Sequence, residues 1–102
     1  MNYSQQVSAY NTDTINLGSV VIALKLNQAV SLRLQELLQE RSMTQYQLFS
    51  KSGVPKATIS NLTNCTYDSV KLRIIHELCQ GLSISIAEFF QSPLFDEDNL
   101  DP

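Results

Sequence analysis

Between Lys56 and Leu62 the chain interleaves polar side chains with Ile59 and Leu62. At helical spacing those two apolar residues share one face. Lys56, Ala57, Thr58, Ser60 and Asn61 occupy the faces left free. Their chemistry is that of hydrogen bonding to flat, edge-on partners. A lysine ammonium reaches guanine O6 and N7, and an asparagine amide pairs with adenine N6 and N7. Nothing comparable supports covalent chemistry. His76 is the one histidine, and Cys65 and Cys79 stand in no metal-ligand spacing. No Ser-His-acid or Cys-His pairing is suggested, and there is no Gly-rich phosphate loop. The residues point to recognition of a base-paired duplex, with no catalysis, cofactor or metal.

Such a face needs a rigid support, and the flanking residues supply one. Thr44 and Gln47 stand at capping-box spacing, where a hydroxyl and an amide satisfy reciprocal backbone donors, so a helix opens at Thr44-Gln45. Its buried side chain is Leu48, with Phe49 a second candidate. Gly53 stands where the chain must leave that helix in a left-handed conformation. Pro55 suits the first turn of the next helix, because its missing N–H has no helical partner there. Two short helices joined by a Gly53-Val54 turn form a helix-turn-helix, whose second helix lies in the DNA major groove.

The remaining segments read as scaffold. From Gln28, the apolar positions Val30, Leu34, Leu37 and Leu38 follow an amphipathic helical rhythm that ends at Ser42-Met43. After a CTYD loop, Asp68 or Ser69 can cap a fourth helix buried through Val70, Ile74, Ile75, Leu78, Cys79 and Leu82. Ser85 and Glu88 form a second capping box, opening a fifth helix anchored by Ile86, Phe89 and Phe90 and stopped by Pro93. Residues 1–17 are rich in Asn, Ser, Thr and Gln and read as an arm. Gly18 to Leu26 is β-branched early and favours a strand, paired with the arm or with the same strand of a second subunit. The start of a helix fits that segment as well. The tail from Phe95 is acidic and reads as frayed.

The chain has 102 residues, room for one domain, and a net charge of −3. The charge is unevenly placed. Residues 41–80 carry Arg41, Lys51, Lys56, Lys71 and Arg73 against Asp68 and Glu77, whereas Glu88, Asp96, Glu97, Asp98 and Asp101 collect at the far end. Positive charge thus coincides with the reading segment. Few phosphates can be neutralised, which implies modest affinity and a shallow salt slope. Free cysteines and a start, MNYSQQ, without the cations of a signal peptide suit a reducing cytoplasm. The longest apolar run, Val20 to Leu24, is too short to span a bilayer.

The stretch SLRLQELLQERSMTQYQLFSKSGVPKATISNLTN, followed by VKLRIIHELCQGLSISIAEFF, resembles the Cro/repressor-like helix-turn-helix proteins, the XRE family. The resemblance runs from about Gln28 to Gln91. It implies an all-α, lambda-repressor-like bundle of five short helices, and a bacterial or phage transcription regulator. It places Lys56, Ala57, Thr58, Ser60 and Asn61 against base edges. It places Gln45, at the start of the first motif helix, against phosphate, and Asn64 against the backbone just after the recognition helix. Thr44, Tyr67 and Lys71 join them as phosphate contacts. Two positions depart from the family pattern. Phe49 stands where a small residue is usual, so its ring either forces the helices apart or turns outward. Cys65 stands where Gly is usual, which shifts the left-handed conformation to Asn64.

The sequence therefore reads as an N-terminal arm (1–27), a helix-turn-helix domain (28–92) and an acidic tail (93–102). The function it implies is sequence-specific binding of double-stranded DNA by a homodimeric repressor, without enzyme activity. The rival is a protein-interaction module that keeps the fold but binds a regulatory protein partner.

Overall fold

A computed structural model describes residues 23–101. Five helices form the body: α1 (Leu26–Glu40), α2 (Gln45–Ser52), α3 (Lys56–Thr63), α4 (Leu72–Leu82) and α5 (Ile86–Phe90). Two 3₁₀ turns, Pro93–Phe95 and Glu97–Asn99, follow. The fold is all-α; among the described residues, β pairing is limited to a single bridge between Leu24 and Leu100. Helix α2 packs on α4, and α3 lies across α1 and α2. One core runs through all five helices, from Leu34 and Leu37 through Leu48 and Ile59 to Leu78 and Phe89.

The helix starts follow their capping residues. The Thr44 hydroxyl accepts from Gln47 N (3.0 Å) and the Gln47 side chain accepts from Thr44 N (2.8 Å). Ser85 and Glu88 repeat the box at α5. Gly53 closes α2 at φ 76°. Pro55 stands one place earlier than expected, as the N-cap of α3.

Several sequence expectations are corrected. The part of the proposed strand within the described residues is the approach to a helix, since α1 opens at Leu26. Residues 1–17, read as an arm, and 18–22 lie outside the described residues. The pairing partner of Leu24 is the C-terminal tail: Leu24 N donates to Asn99 O (2.9 Å), and Asp101 N donates to Leu24 O (2.7 Å). The tail is docked rather than frayed. Leu94 is 1% exposed, and the Phe95 ring stands 4.8 Å edge-on from Phe90. Two apolar side chains outweigh the surrounding carboxylates, which stay in water. Neither Asp68 nor Ser69 caps α4. The helix begins at Leu72 after Lys71, and Val70 is a half-buried residue of the preceding loop. Ile86 is no anchor, being 40% exposed.

Phe49 satisfies neither sequence alternative outright. It is half-buried, packed against the core, with its ring 5.9 Å from that of Tyr46. Cys79 is fully buried, and burial pushes its thiol pKa upward, which keeps it protonated. At Gly81, α4 passes close to Ser52 of α2. A Cβ there would lie 2.7 Å from Ser52 Cβ and 3.0 Å from its backbone. Overpacking of about 1–3 kcal/mol exceeds the roughly 1 kcal/mol of helix propensity that alanine offers. Gly81→Ala is therefore expected to lower the melting temperature, as followed by circular dichroism.

Candidate nucleic-acid interface

Helix α3 is held from one side and open on the other. Ile59 and Leu62 sit in the core, and Val54, at 0% exposed, pins the turn that aims the helix. Its far end is tied down by polar contacts that join three helices. The Thr63 carbonyl accepts from Ser31 Oγ (2.9 Å) and Gln35 Nε2 (2.7 Å), both on α1. The Thr63 hydroxyl accepts from Gln45 Nε2 (3.0 Å) on α2. A carbonyl in the last turn of a helix lacks an intrahelical partner, so these donors supply what the helix cannot. Sequence reasoning missed Ser31, Gln35 and Thr63. Their only signal is polar residues in a stripe that is otherwise apolar.

Against that support, Lys56 and Ala57 are exposed, whereas Thr58, Ser60 and Asn61 are half-buried. The Lys56 ammonium lies 5.4 Å from the centre of the Tyr46 ring. Asn61, expected as a base reader, has both ends of its amide engaged within the chain. Its Nδ2 donates to the Tyr67 hydroxyl (3.2 Å), and its Oδ1 accepts from Thr66 Oγ1 (3.1 Å). Tyr67 is held from the other side by Asn27, whose Nδ2 donates to the Tyr67 carbonyl (2.6 Å). Asn61 thus braces the loop after α3.

The residues expected at phosphates divide into two places. Thr44, Gln45 and Asn64 line one open groove of about 700 Å³, together with Gln35, Ser42 and Thr63. The N-terminus of α2 opens on it, and helix N-termini favour anions. Asn64 donates to Ser60 Oγ (3.3 Å), which links the groove to the exposed side of α3. Tyr67 and Lys71 stand apart, in the segment leading to α4.

The left-handed residue after α3 is Cys65, at φ 57°; Asn64 is right-handed at φ −89°. The reason is the closing bond, Thr66 N to Asn61 O (2.9 Å), which sets the reversal one residue past Asn64. A left-handed cysteine costs about 1–2 kcal/mol, and glycine's greater unfolded freedom returns roughly 0.5–1 of it. Cys65→Gly is thus expected to raise stability by about 0.5–1 kcal/mol in urea unfolding.

A short helix pinned at both ends behind a tight turn, with a polar outer face, defines a helix-turn-helix DNA-binding domain. The chain belongs to the Cro/C1-type HTH DNA-binding domain family, which matches residues 33–92. That is a family of transcription regulators and not of enzymes. The fold resembles the crystal structure of the wild-type restriction-modification controller protein C.Esp1396I, with TM-score 0.60 and 26% identity over 65% of this chain and 84% of that one. A tyrosine-to-alanine mutant of the same controller matches at TM-score 0.61 and 26% identity, with the same coverage. No curated protein matches the chain by sequence. No helix among the described residues is long and apolar enough to cross a membrane.

Proposed function

We propose that the protein is a sequence-specific transcription regulator of the repressor type, which inserts α3 into the DNA major groove as a homodimer. The observation that carries this is the outward polar face of α3 on a support fixed from α1 and α2. Lys56, Ala57, Thr58 and Ser60 face base edges, with Asn61 beside them. Thr44, Gln45 and Asn64 take one phosphate strand at their shared groove, and Tyr67 and Lys71 take the backbone beyond α3. The likeness to a restriction-modification controller protein supports a regulatory role. Binding to duplex from the gene's own upstream region, followed by fluorescence anisotropy, tests this. Saturable binding that survives excess random DNA supports it. No binding, with co-purification of another protein, favours the interaction-module reading.

One helix in one groove reads too few bases for specificity, which is why such modules pair. The face for pairing is an apolar groove of about 160 Å³, lined by Leu26, Val30, Val70, Leu72, Ile75 and Phe90 among others. Leu72 is 70% exposed and Leu26 59%. Leu26 at the start of α1 and Phe90 at the end of α5 both line it. Leu72→Glu leaves the subunit core untouched and is expected to shift the chain from dimer to monomer in light scattering. A parent chain that is already monomeric at high concentration, with or without DNA, contradicts the pairing.

A further inference from the structure

Tyr46 has a place that the proposed reading of α3 leaves unused. It is the second residue of α2, 61% exposed, and its ring adjoins that of Phe49 at 5.9 Å in a tilted pair. Phe49 in turn packs against the core. The two residues are three apart and so share one side of the helix. The Lys56 ammonium lies over the Tyr46 ring, 5.4 Å from its centre, within range of attraction to the ring face. A continuous shelf therefore runs from the core through Phe49 and Tyr46 to the first residue of α3.

We propose that Tyr46 is a positioning residue that pre-orders Lys56 for sequence-selective contact, so that discrimination between sites depends on an aromatic ring outside the recognition helix. Lysine is a compact charge on a flexible four-carbon stem, and free in water it samples many rotamers. A free lysine is drawn to any nearby phosphate, which adds affinity without selectivity. Resting on a ring, it keeps its charge and its donors while its directions are restricted. Less ordering then remains to be done when it meets a base edge. The bulky Phe49, where the family favours a small residue, finds its use here as the foundation of the shelf.

This rests on the reading of α3 as the DNA-facing helix, and two measurements keep the two ideas separable. The first uses free protein. In NMR spectra the Lys56 Hε protons are expected upfield from ring current, and Tyr46→Ala should return them to the ordinary lysine position. The second compares binding to a duplex selected by the parent chain with binding to random duplex. Tyr46→Ala is expected to lower that preference about two- to five-fold, the scale of an exposed cation–ring contact. Tyr46→Phe should preserve the preference, and in a Lys56→Met background Tyr46→Ala should have no further effect. A parent that shows no preference overturns the DNA reading and this inference with it. A selective parent whose preference survives Tyr46→Ala overturns the inference alone. So does loss with Tyr46→Phe, which assigns the role to the hydroxyl, or an unchanged Lys56 resonance.

Discussion

Replacing Phe89 by alanine is expected to cost about 3–5 kcal/mol of stability. The ring is fully buried and stands 5.0 Å from that of Phe90 and 6.3 Å from that of Phe95. It is therefore the common contact of α5 and the docked tail. Its backbone carbonyl also accepts Arg33 Nε (2.7 Å), while another Arg33 nitrogen donates to Glu88 O (2.8 Å), so α1 clamps the end of α5. Removing the ring leaves a cavity beneath that clamp. In denaturant unfolding the midpoint should fall sharply, and Leu24 amide exchange should speed up as its tail partner loosens. Phe49→Ala supplies the contrast. That ring is only half-buried, so its loss should cost clearly less than the loss of Phe89. Equal losses at the two positions would show that depth of burial does not govern this core.

Replacing Lys56 by alanine is expected to lower discrimination between preferred and random duplexes by about 1–3 kcal/mol, the scale of a bidentate base contact. Asn61→Ala should behave differently. The Asn61 amide already serves Tyr67 and Thr66, so its loss frees the loop after α3 and weakens binding to every sequence alike. Gln45→Ala should also weaken binding without respect to sequence, because it removes a groove residue and a tie to Thr63. Titrations of the three variants against matched and mismatched duplexes separate these outcomes. If Asn61→Ala relaxes selectivity at one base position and leaves random-DNA affinity intact, the asparagine abandons both internal partners on binding and reads a base.

Local rules made much of this fold legible in the sequence. The Thr44 and Ser85 boxes, the left-handed Gly53 and the buried Val54 each depend on residues within a few positions of one another. The burial of Leu48, Ile59 and Leu78 follows from helical period. What escaped depends on distance along the chain. Thr63 is joined to Ser31 and Gln35 across an intervening helix, and no spacing rule connects them. The tail escapes a reading from composition, which weighs its carboxylates, whereas packing weighs Leu94 and Phe95. Residue preference favours Asn64 for the left-handed position after α3, but the Thr66–Asn61 closing bond places it at Cys65. Of the candidate interface, the exposure of Lys56 and Ala57 was legible, whereas Thr58, Ser60 and Asn61 are half-buried. The internal engagement of Asn61 by Tyr67, six residues later, was not.

Selection of bound duplexes from a random pool, run in parallel on the parent chain and on Lys56→Ala, tests the central claim most directly. The account predicts that the parent enriches a two-fold symmetric motif, with half-sites about one helical turn (roughly 10 bp) apart or a multiple of it. Lys56→Ala should lose enrichment at one position in each half while keeping the spacing. No enriched motif from the parent, or the same motif unchanged when Lys56, Thr58 and Ser60 are each replaced, would contradict it.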